Sequence, residues 1–250
     1  MSTWSIPQRE MIDIHMHLIP GVDDGAESME MSLLMMLRAG DQGIRQIIAT
    51  PHSEAFRYSK DGARIIFRRL QDAAAASGLE TGLYLGCEVF CEPDRMEEIV
   101  TALDTGRYPT MNATRYVLME FSQWIMPEKT VPCVQALVDA GYIPIIAHLE
   151  RYNYLRNDMT LVDRFRDLGA LVQINAYSLQ EEMDENIKGW ARRLVREKKA
   201  DFLGTDAHRT YHRSPKAQSG LAWLYENAEQ DYADAISWGN AQIKLLEVSR

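Results

Sequence analysis

Histidines and carboxylates recur in short, closely spaced motifs along this chain of 250 residues. His15 and His17 lie two residues apart, and Asp206 and His208 repeat that spacing far along the sequence. Side chains two apart on a strand point to the same face, so each pair can converge on one point. Buried carboxylates are costly without partners, and a cluster of cations beside the imidazoles would compensate their charge. The spacing therefore indicates a metal centre.

The elements that must position these motifs alternate between strand and helix. The predicted strands are MIDIH (11–15), IRQIIAT (44–50), LYLGCEVF (83–90), RYVLMEF (115–121), YIPIIAH (142–148), ALVQINA (170–176) and DFLGTDAH (201–208). Helices are predicted over 28–43 and 61–78, and near 94–104, 128–140, 160–168 and 185–199. This order predicts an α/β fold of parallel strands joined by right-handed crossovers. No linker, low-complexity tract or repeat divides the chain, so we expect one domain over residues 1–250.

The positions of the polar residues distinguish a closed barrel from an open parallel sheet. In a barrel the polar residues collect at the C-terminal ends of many strands, whereas an open sheet concentrates them at one switch point. A single histidine is more often an ordinary core or surface residue, but five of the six histidines here lie at or just beyond strand ends. The distribution favours a barrel, with ionisable residues near the ends of most strands: His15, His17, His52, Glu88, Glu120, His148, Asp206 and His208.

Composition excludes several other classes of protein. The net charge of −9 repels the phosphate backbone of nucleic acids. No stretch approaches the run of about 20 apolar residues that spans a bilayer, and the N-terminus lacks the features of a signal peptide, so we expect a cytoplasmic protein. Cys87, Cys91 and Cys133 are odd in number, and none is followed six residues later by an arginine. The sequence therefore lacks the phosphate-binding loop of cysteine-dependent tyrosine phosphatases.

The motifs together resemble a known superfamily. DIHMH, VDDG, ATPH, GCEVF, LMEFS, AHLERY and GTDAH occur in the order and approximate spacing of the polymerase-and-histidinol-phosphatase (PHP) superfamily, over about residues 15 to 215. They look most like its branch of bacterial manganese-dependent protein-tyrosine phosphatases of capsule and exopolysaccharide synthesis. HxH alone would be a weak signal, but seven coinciding motifs are specific. The resemblance implies the PHP fold, a distorted TIM-like (β/α)7 barrel, with up to three metal ions at its mouth. The ten residues before Met11 form an extension of unassigned role.

The resemblance also implies the metal ligands, residue by residue. The three implied ligand groups are His15, His17 and Asp206; Glu88, Glu120 and His148, with Glu88 bridging to the first metal; and Asp24, His52 and His208. By register we favour Asp24 over its neighbour Asp23 as the ligand, and we expect Asp13 to orient a histidine from behind. Imidazole and carboxylate ligands without thiolate suit manganese, iron or zinc. Among these, the resemblance implies Mn²⁺.

The implied activity is hydrolysis of a phosphomonoester without a phosphocysteine. The metals would lower the pKa of a bridging water, so that hydroxide attacks phosphorus in line. Arg151 and Arg213 match the family's phosphate-binding arginines and suit bidentate contacts, although on position alone each could equally be an exposed loop residue. The implied substrate is the phosphorylated tyrosine tail of a membrane-associated bacterial kinase that drives polysaccharide export.

Two other functions remain open at this point. One is a histidinol-phosphate phosphatase or another small-molecule PHP phosphoesterase, because the loops that set specificity cannot be built from sequence. The other is a metal-bearing scaffold without turnover, against which the intact ligand set argues. Hydrolysis of a generic aryl phosphate separates enzyme from scaffold, and a phosphotyrosine peptide compared with histidinol phosphate separates the two enzymes.

Overall fold

A computed structural model describes residues 9–57, 59 and 61–247 of the chain. Most of the extension before Met11 therefore lies outside the described residues. The strands in the described part are β1 (Met11–Met16), β2 (Ile44–Ala49), β3 (Gly82–Leu85), β4 (Glu88–Cys91), β5 (Tyr116–Phe121), β6 (Ile143–Ile146), β7 (Leu171–Asn175) and β8 (Phe202–Gly204). The α-helices there are α1 (Met29–Asp41), α2 (Gly62–Ala76), α3 (Met96–Asp104), α4 (Pro127–Asp139), α5 (Met159–Asp167), α6 (Glu185–Arg196), α7 (Gln218–Asn227) and α8 (Gln230–Asp234).

The strands form a closed ring of parallel neighbours. One sheet has the order β1-β2-β3 and the other the order β4-β5-β6-β7-β8, and every pairing is parallel. The ring closes between β1 and the end of β8, where the Asp206 amide donates to the His15 carbonyl at 2.7 Å and the His17 amide donates to the Ala207 carbonyl at 2.9 Å. The predicted barrel is thus confirmed.

The barrel is distorted where one predicted strand divides. The run over 83–90 was expected to be continuous, but it breaks at Gly86 and Cys87 into β3 and β4, which belong to different sheets. A Cβ at Gly86 would lie 2.9 Å from the Met111 sulfur and 3.0 Å from a methyl of Ile48, so glycine permits the close packing at the break. The break brings Glu88 into a parallel bridge with His52, just beyond β2.

Two hydrophobic clusters hold the strands in place. The larger fills the space between strands and surrounding helices. The smaller joins inward strand residues such as Ile14 and Phe202 to Ala241 and Leu245, near the end of the chain. That C-terminal segment, π-helical over Ala235–Gly239 and Gln242–Leu246, was not predicted. No helix of the described residues combines the length and apolar character needed to cross a membrane.

Candidate metal centre

The structure brings all nine predicted ligands together at one end of the barrel. Each lies at or beyond the C-terminal end of a strand, except Glu88, which begins β4 after the break. Their imidazole nitrogens and carboxylate oxygens form overlapping groups, with the atoms of each group within 4.8 Å of one another. The groups are His15, His17 and Asp206; His15, Glu88 and His148; His52, Glu88 and Glu120; and His17, Asp24, His52 and His208.

The innermost part of the site is a buried cluster around Glu88. Its Oε1 lies 2.9 Å from His148 Nε2 and 3.3 Å from His15 Nε2, and its Oε2 lies 3.3 Å from His17 Nε2. The two Nε2 atoms of His15 and His17 are 3.2 Å apart, and Asp206 Oδ1 lies within 3.6 Å of both. Glu88 and Asp206 are each 1% exposed. The predicted bridging residue is therefore at the centre of the cluster.

The outer part of the site opens to solvent. Asp24 Oδ1 lies 3.4 Å from His52 Nε2 and 3.2 Å from His208 Nε2, while the Asp24 side chain is 60% exposed. Glu120 is 20% exposed, with Oε1 3.6 Å from His148 Nε2 and Oε2 3.9 Å from His52 Nδ1. The site thus runs from a sealed interior to an accessible rim.

Mutual interactions set the charge states of these groups. Burial raises the pKa of Glu88, but the charge of His15 and hydrogen bonds with His148, His15 and His17 outweigh it and hold the pKa well below its usual range. Burial also raises the pKa of Asp206, but the hydrogen bond with His17 and the charge of His15 outweigh it and hold the pKa well below its usual range. Glu120 has a raised pKa, from burial and then from the charge of Glu88. The two innermost carboxylates are therefore ionised at neutral pH and depend on nearby positive charge.

Two neighbouring aspartates have different roles at the entrance. Asp23 Oδ2 accepts from His17 Nδ1 at 2.8 Å and from the His52 amide at 3.1 Å. With Nδ1 occupied, Nε2 of His17 faces the centre of the site. Asp24 instead faces His52 and His208. Asp24 therefore groups with the candidate ligands, whereas Asp23 contacts the far side of the His17 ring; that Asp24 is the ligand stays a prediction.

Asp13 differs from the prediction. It was expected to orient an imidazole, but it contacts backbone: Oδ1 accepts from the His15 amide at 3.0 Å and from the Thr205 amide at 2.9 Å. Its Oδ2 accepts from Thr205 Oγ1 at 2.5 Å. Asp13 therefore links the backbone of His15 in β1 to Thr205, which directly follows β8.

Gln173 is a site residue that the sequence analysis missed. Its Oε1 accepts from the His148 amide at 2.8 Å and lies 3.2 Å from His15 Nδ1. Because that oxygen can only accept, His15 carries its proton on Nδ1 and leaves Nε2 free as a ligand atom. Close packing of Gln173 requires glycine at 204, where a Cβ would lie 2.9 Å from Gln173 Nε2. The available signal was a pair of side-chain amides, Gln173 and Asn175, inside the otherwise apolar strand LVQIN.

The two predicted phosphate-binding arginines converge on one ligand. Arg213 Nη2 donates to both oxygens of Asp206 at 2.8 Å, and Arg151 Nη1 donates to Asp206 Oδ2. Both side chains are about one-third exposed, so they line the mouth while contacting the interior. His148, Asp206 and Arg213 all have positive φ, a backbone strain typical of functional positions. His212, read as solvated, is exposed.

Comparison with known proteins gives a consistent result. Residues 11–247 match the protein family described as capsular polysaccharide synthesis, CpsB/CapC. The tyrosine-protein phosphatase YwqE of Bacillus subtilis is 32% identical over 211 residues, covering 84% of this chain and 82% of its own length. The tyrosine-protein phosphatase CpsB of Streptococcus pneumoniae is 30% identical over 215 residues, covering 83% and 87%.

The same similarity holds in three dimensions. The crystal structures of YwqE from Bacillus subtilis and CpsB from Streptococcus pneumoniae, described as metal-dependent tyrosine phosphatases, include a chain that superimposes with a TM-score of 0.85. It is 30% identical, and the alignment covers 94% of each chain. The similarity therefore extends over the whole barrel, including the segments that carry the ligand cluster.

Proposed function

The chain belongs to the CpsB/CapC family of capsular polysaccharide synthesis, and on that premise we propose that it is a metal-dependent tyrosine-protein phosphatase. The observation that carries the proposal is the meeting of two guanidinium groups and a buried imidazole–carboxylate cluster at Asp206. A phosphate held by the arginines would lie directly beside the cluster. We propose that residues 1–250 act as one catalytic domain.

The donor set fits bound metal ions. His208 Nε2 is buried and has no hydrogen-bond partner among the described residues, although Asp24 Oδ1 lies 3.2 Å away. The ring nitrogens of His15 and His17 face each other across 3.2 Å, with Glu88 and Asp206 beside them. Nitrogen and oxygen donors without sulfur suit manganese, and also iron or zinc. We propose Mn²⁺ as the resident ion.

We assign the ligands in the three groups that the resemblance to the family implies. The first metal would be held by His15, His17 and Asp206, and the third by Asp24, His52 and His208. The second would be held by Glu120 and His148, with Glu88 shared between it and the first. When bound, the metals supply Lewis acidity toward the phosphate and an acidified water as nucleophile.

The protein's own groups position the substrate. Arg151 and Arg213 bind the non-bridging phosphate oxygens and exchange part of their contact with Asp206 for the substrate. Asp23 and Gln173 keep the Nε2 atoms of His17 and His15 directed inward. The buried cysteines take no part, because their burial keeps the thiol protonated.

We propose that the substrate is a phosphotyrosine in the tail of a membrane-associated bacterial tyrosine kinase of the capsule system. The family assignment supports a partner in capsule synthesis. A phosphotyrosine is long enough to bring its phosphate to the ligand cluster while the peptide backbone stays outside the mouth.

Steady-state kinetics tests the proposal. Manganese-loaded protein should hydrolyse phosphotyrosine peptides with a higher kcat/KM than phosphoserine peptides of the same sequence or histidinol phosphate. Protein stripped by a chelator should be inactive and recover with manganese. A preference for histidinol phosphate would replace the proposal with a biosynthetic phosphatase, and no turnover of any aryl phosphate would leave a metal-bearing scaffold.

A further inference from the structure

Three polar side chains form a hydrogen-bonded chain from the metal cluster to the mouth of the barrel. Gln173 and Asn175 lie two apart on β7, and Tyr177 follows in the 3₁₀ turn Ala176–Leu179. Gln173 Nε2 donates to Asn175 Oδ1 at 2.9 Å, and Asn175 Nδ2 donates to Tyr177 Oη at 3.3 Å. The chain leads from the residue that contacts His15 and His148 to a partly exposed phenol.

The direction of this hydrogen-bonded chain is fixed at its inner end. The His148 amide can only donate, so it must meet the oxygen of Gln173. The amide nitrogen of Gln173 then faces the oxygen of Asn175, whose own nitrogen faces Tyr177. The Tyr177 oxygen is therefore an acceptor within the protein. Its proton has no acceptor among the described residues and remains available to a ligand.

The turn that carries Tyr177 is held firmly. Glu150 Oε1 accepts from the Asn175 amide at 3.0 Å and from Ser178 Oγ at 2.7 Å. On the other side Gly220 of α7 packs on the turn so closely that a Cβ would lie 1.9 Å from the Ala176 carbonyl oxygen. The phenol is thus positioned before any substrate arrives, which favours a binding role.

Tyr177 shares a cavity with Arg213, one of the two arginines that would hold phosphate. The cavity has a volume of about 220 Å³, and its other lining residues are Gln180, Glu182, Met183, Ser214 and Lys216. Its phenol also interacts electrostatically with Arg151 and Asp206. Burial raises the pKa of the Tyr177 hydroxyl more than the charge of Arg151 lowers it, so the group is a neutral donor at physiological pH.

We propose that Tyr177 is a substrate-contacting residue, whose hydroxyl donates a hydrogen bond to a non-bridging phosphate oxygen alongside Arg151 and Arg213. The proposal rests on the phosphatase function proposed above. It deepens that function, because it makes a side chain of the turn that follows β7 part of the phosphate site. A neutral donor adds a contact without adding charge beside Arg151 and Arg213, which already share Asp206.

The test is Tyr177→Phe, which removes one oxygen and keeps the ring. Loss of a hydrogen bond to a charged group should lower kcat/KM about tenfold. The factor should be equal for p-nitrophenyl phosphate and phenyl phosphate, since both carry the same phosphate, and inhibition by inorganic phosphate should weaken by a similar factor. A loss confined to phenyl phosphate, whose phenolate is the poorer leaving group, would indicate that Tyr177 acts on the leaving group and would overturn the assignment. Unchanged kinetics and unchanged phosphate inhibition would overturn it as well.

Tyr142→Phe is the matched control. Tyr142 directly precedes β6, at the end of the strand opposite to the mouth. Its hydroxyl donates to Asp104 at 2.8 Å. This variant should match the wild type in kinetics and in phosphate inhibition. Calorimetric binding of inorganic phosphate to the metal-loaded protein gives a readout independent of turnover. If the wild type failed to hydrolyse phosphotyrosine peptides, weaker phosphate binding by Tyr177→Phe would still support the contact, and unchanged binding would refute it.

Discussion

The inner and outer halves of the metal centre use the same residue types in opposite surroundings. The inner half, His15, His17, Glu88, His148 and Asp206, is at most 3% exposed. In the outer half Asp24, His52 and Glu120 are between 20% and 60% exposed, and their partner His208 is 3% exposed. An ionised carboxylate in the inner half cannot be stabilised by water, so it depends on imidazoles, guanidiniums or metal ions. An outer carboxylate can be hydrated when no ion is bound.

The arginines show how the inner half is stabilised by the protein itself. Both guanidinium groups contact Asp206, and only Arg213 also approaches Asp24, at 3.9 Å. The inner charge is thus compensated by fixed protein groups as well as by any ion. We infer that loss of an inner ligand disturbs several partners, whereas loss of an outer ligand disturbs one metal position.

Replacing Glu88 should have the largest effect. Glu88→Gln keeps the shape but removes the charge shared by two proposed metal positions and four imidazoles. We expect the bound metal, measured by inductively coupled plasma mass spectrometry, to fall by more than one equivalent and activity to fall to background. Glu98→Gln, on the exposed face of α3, is the control and should change neither. Full metal content in Glu88→Gln would exclude the bridging assignment.

Replacing Asp24 should have a smaller and more local effect. Asp24→Asn should lose about one metal equivalent and keep the inner two, because the inner ligands contact other partners. Asp23→Asn is a matched comparison at the adjacent position. It keeps all proposed ligands but loosens His17, so we expect metal affinity to fall about ten- to hundredfold with no position abolished. Identical stoichiometry and affinity in the two variants would remove the distinction between ligand and orienting residue.

The arginines should affect substrate binding rather than metal content. Arg151→Ala and Arg213→Ala each remove a charge-assisted phosphate contact, for which we expect a ten- to hundredfold loss in kcat/KM, about 1.5 to 3 kcal/mol. Arg193→Ala, on the surface of α6 beside Glu197, is the control. If either mouth variant matched the wild type on a phosphotyrosine peptide, that arginine would serve only to neutralise Asp206.

The sequence predicted the parts of the molecule that rest on local patterns. Alternating strand and helix runs predicted the barrel, and HxH and DxH spacing predicted which side chains would share a face. The spatial meeting of eight of these residues followed from parallel strand order, because parallel strands end at the same rim. Asp24 was instead predicted from the VDDG turn and from the resemblance to a known family. The metal assignments themselves remain predictions.

The features that were missed depend on contacts between distant residues. The break at Gly86 arises where Met111 and Ile48 approach the backbone, and neither is close in sequence. The part played by Gln173 requires His148 from the neighbouring strand. Asp13 bonds to Thr205, which directly follows β8 and lies across the barrel closure. Local periodicity cannot report such partners.

The smallest effect is expected from the three thiols, which are buried and belong to neither half. Cys87 precedes Glu88, yet burial and then the charge of Glu88 raise its thiol pKa well above the usual range, and burial raises that of Cys133 to about 11. At neutral pH the thiols are protonated and buried, so iodoacetamide should modify the native protein slowly and leave activity unchanged. Unfolded protein should react at all three cysteines. Loss of activity on alkylation with metal content intact would show that a cysteine thiol takes part in the reaction. A comparison of inner and outer carboxylates would then be an incomplete account of the site.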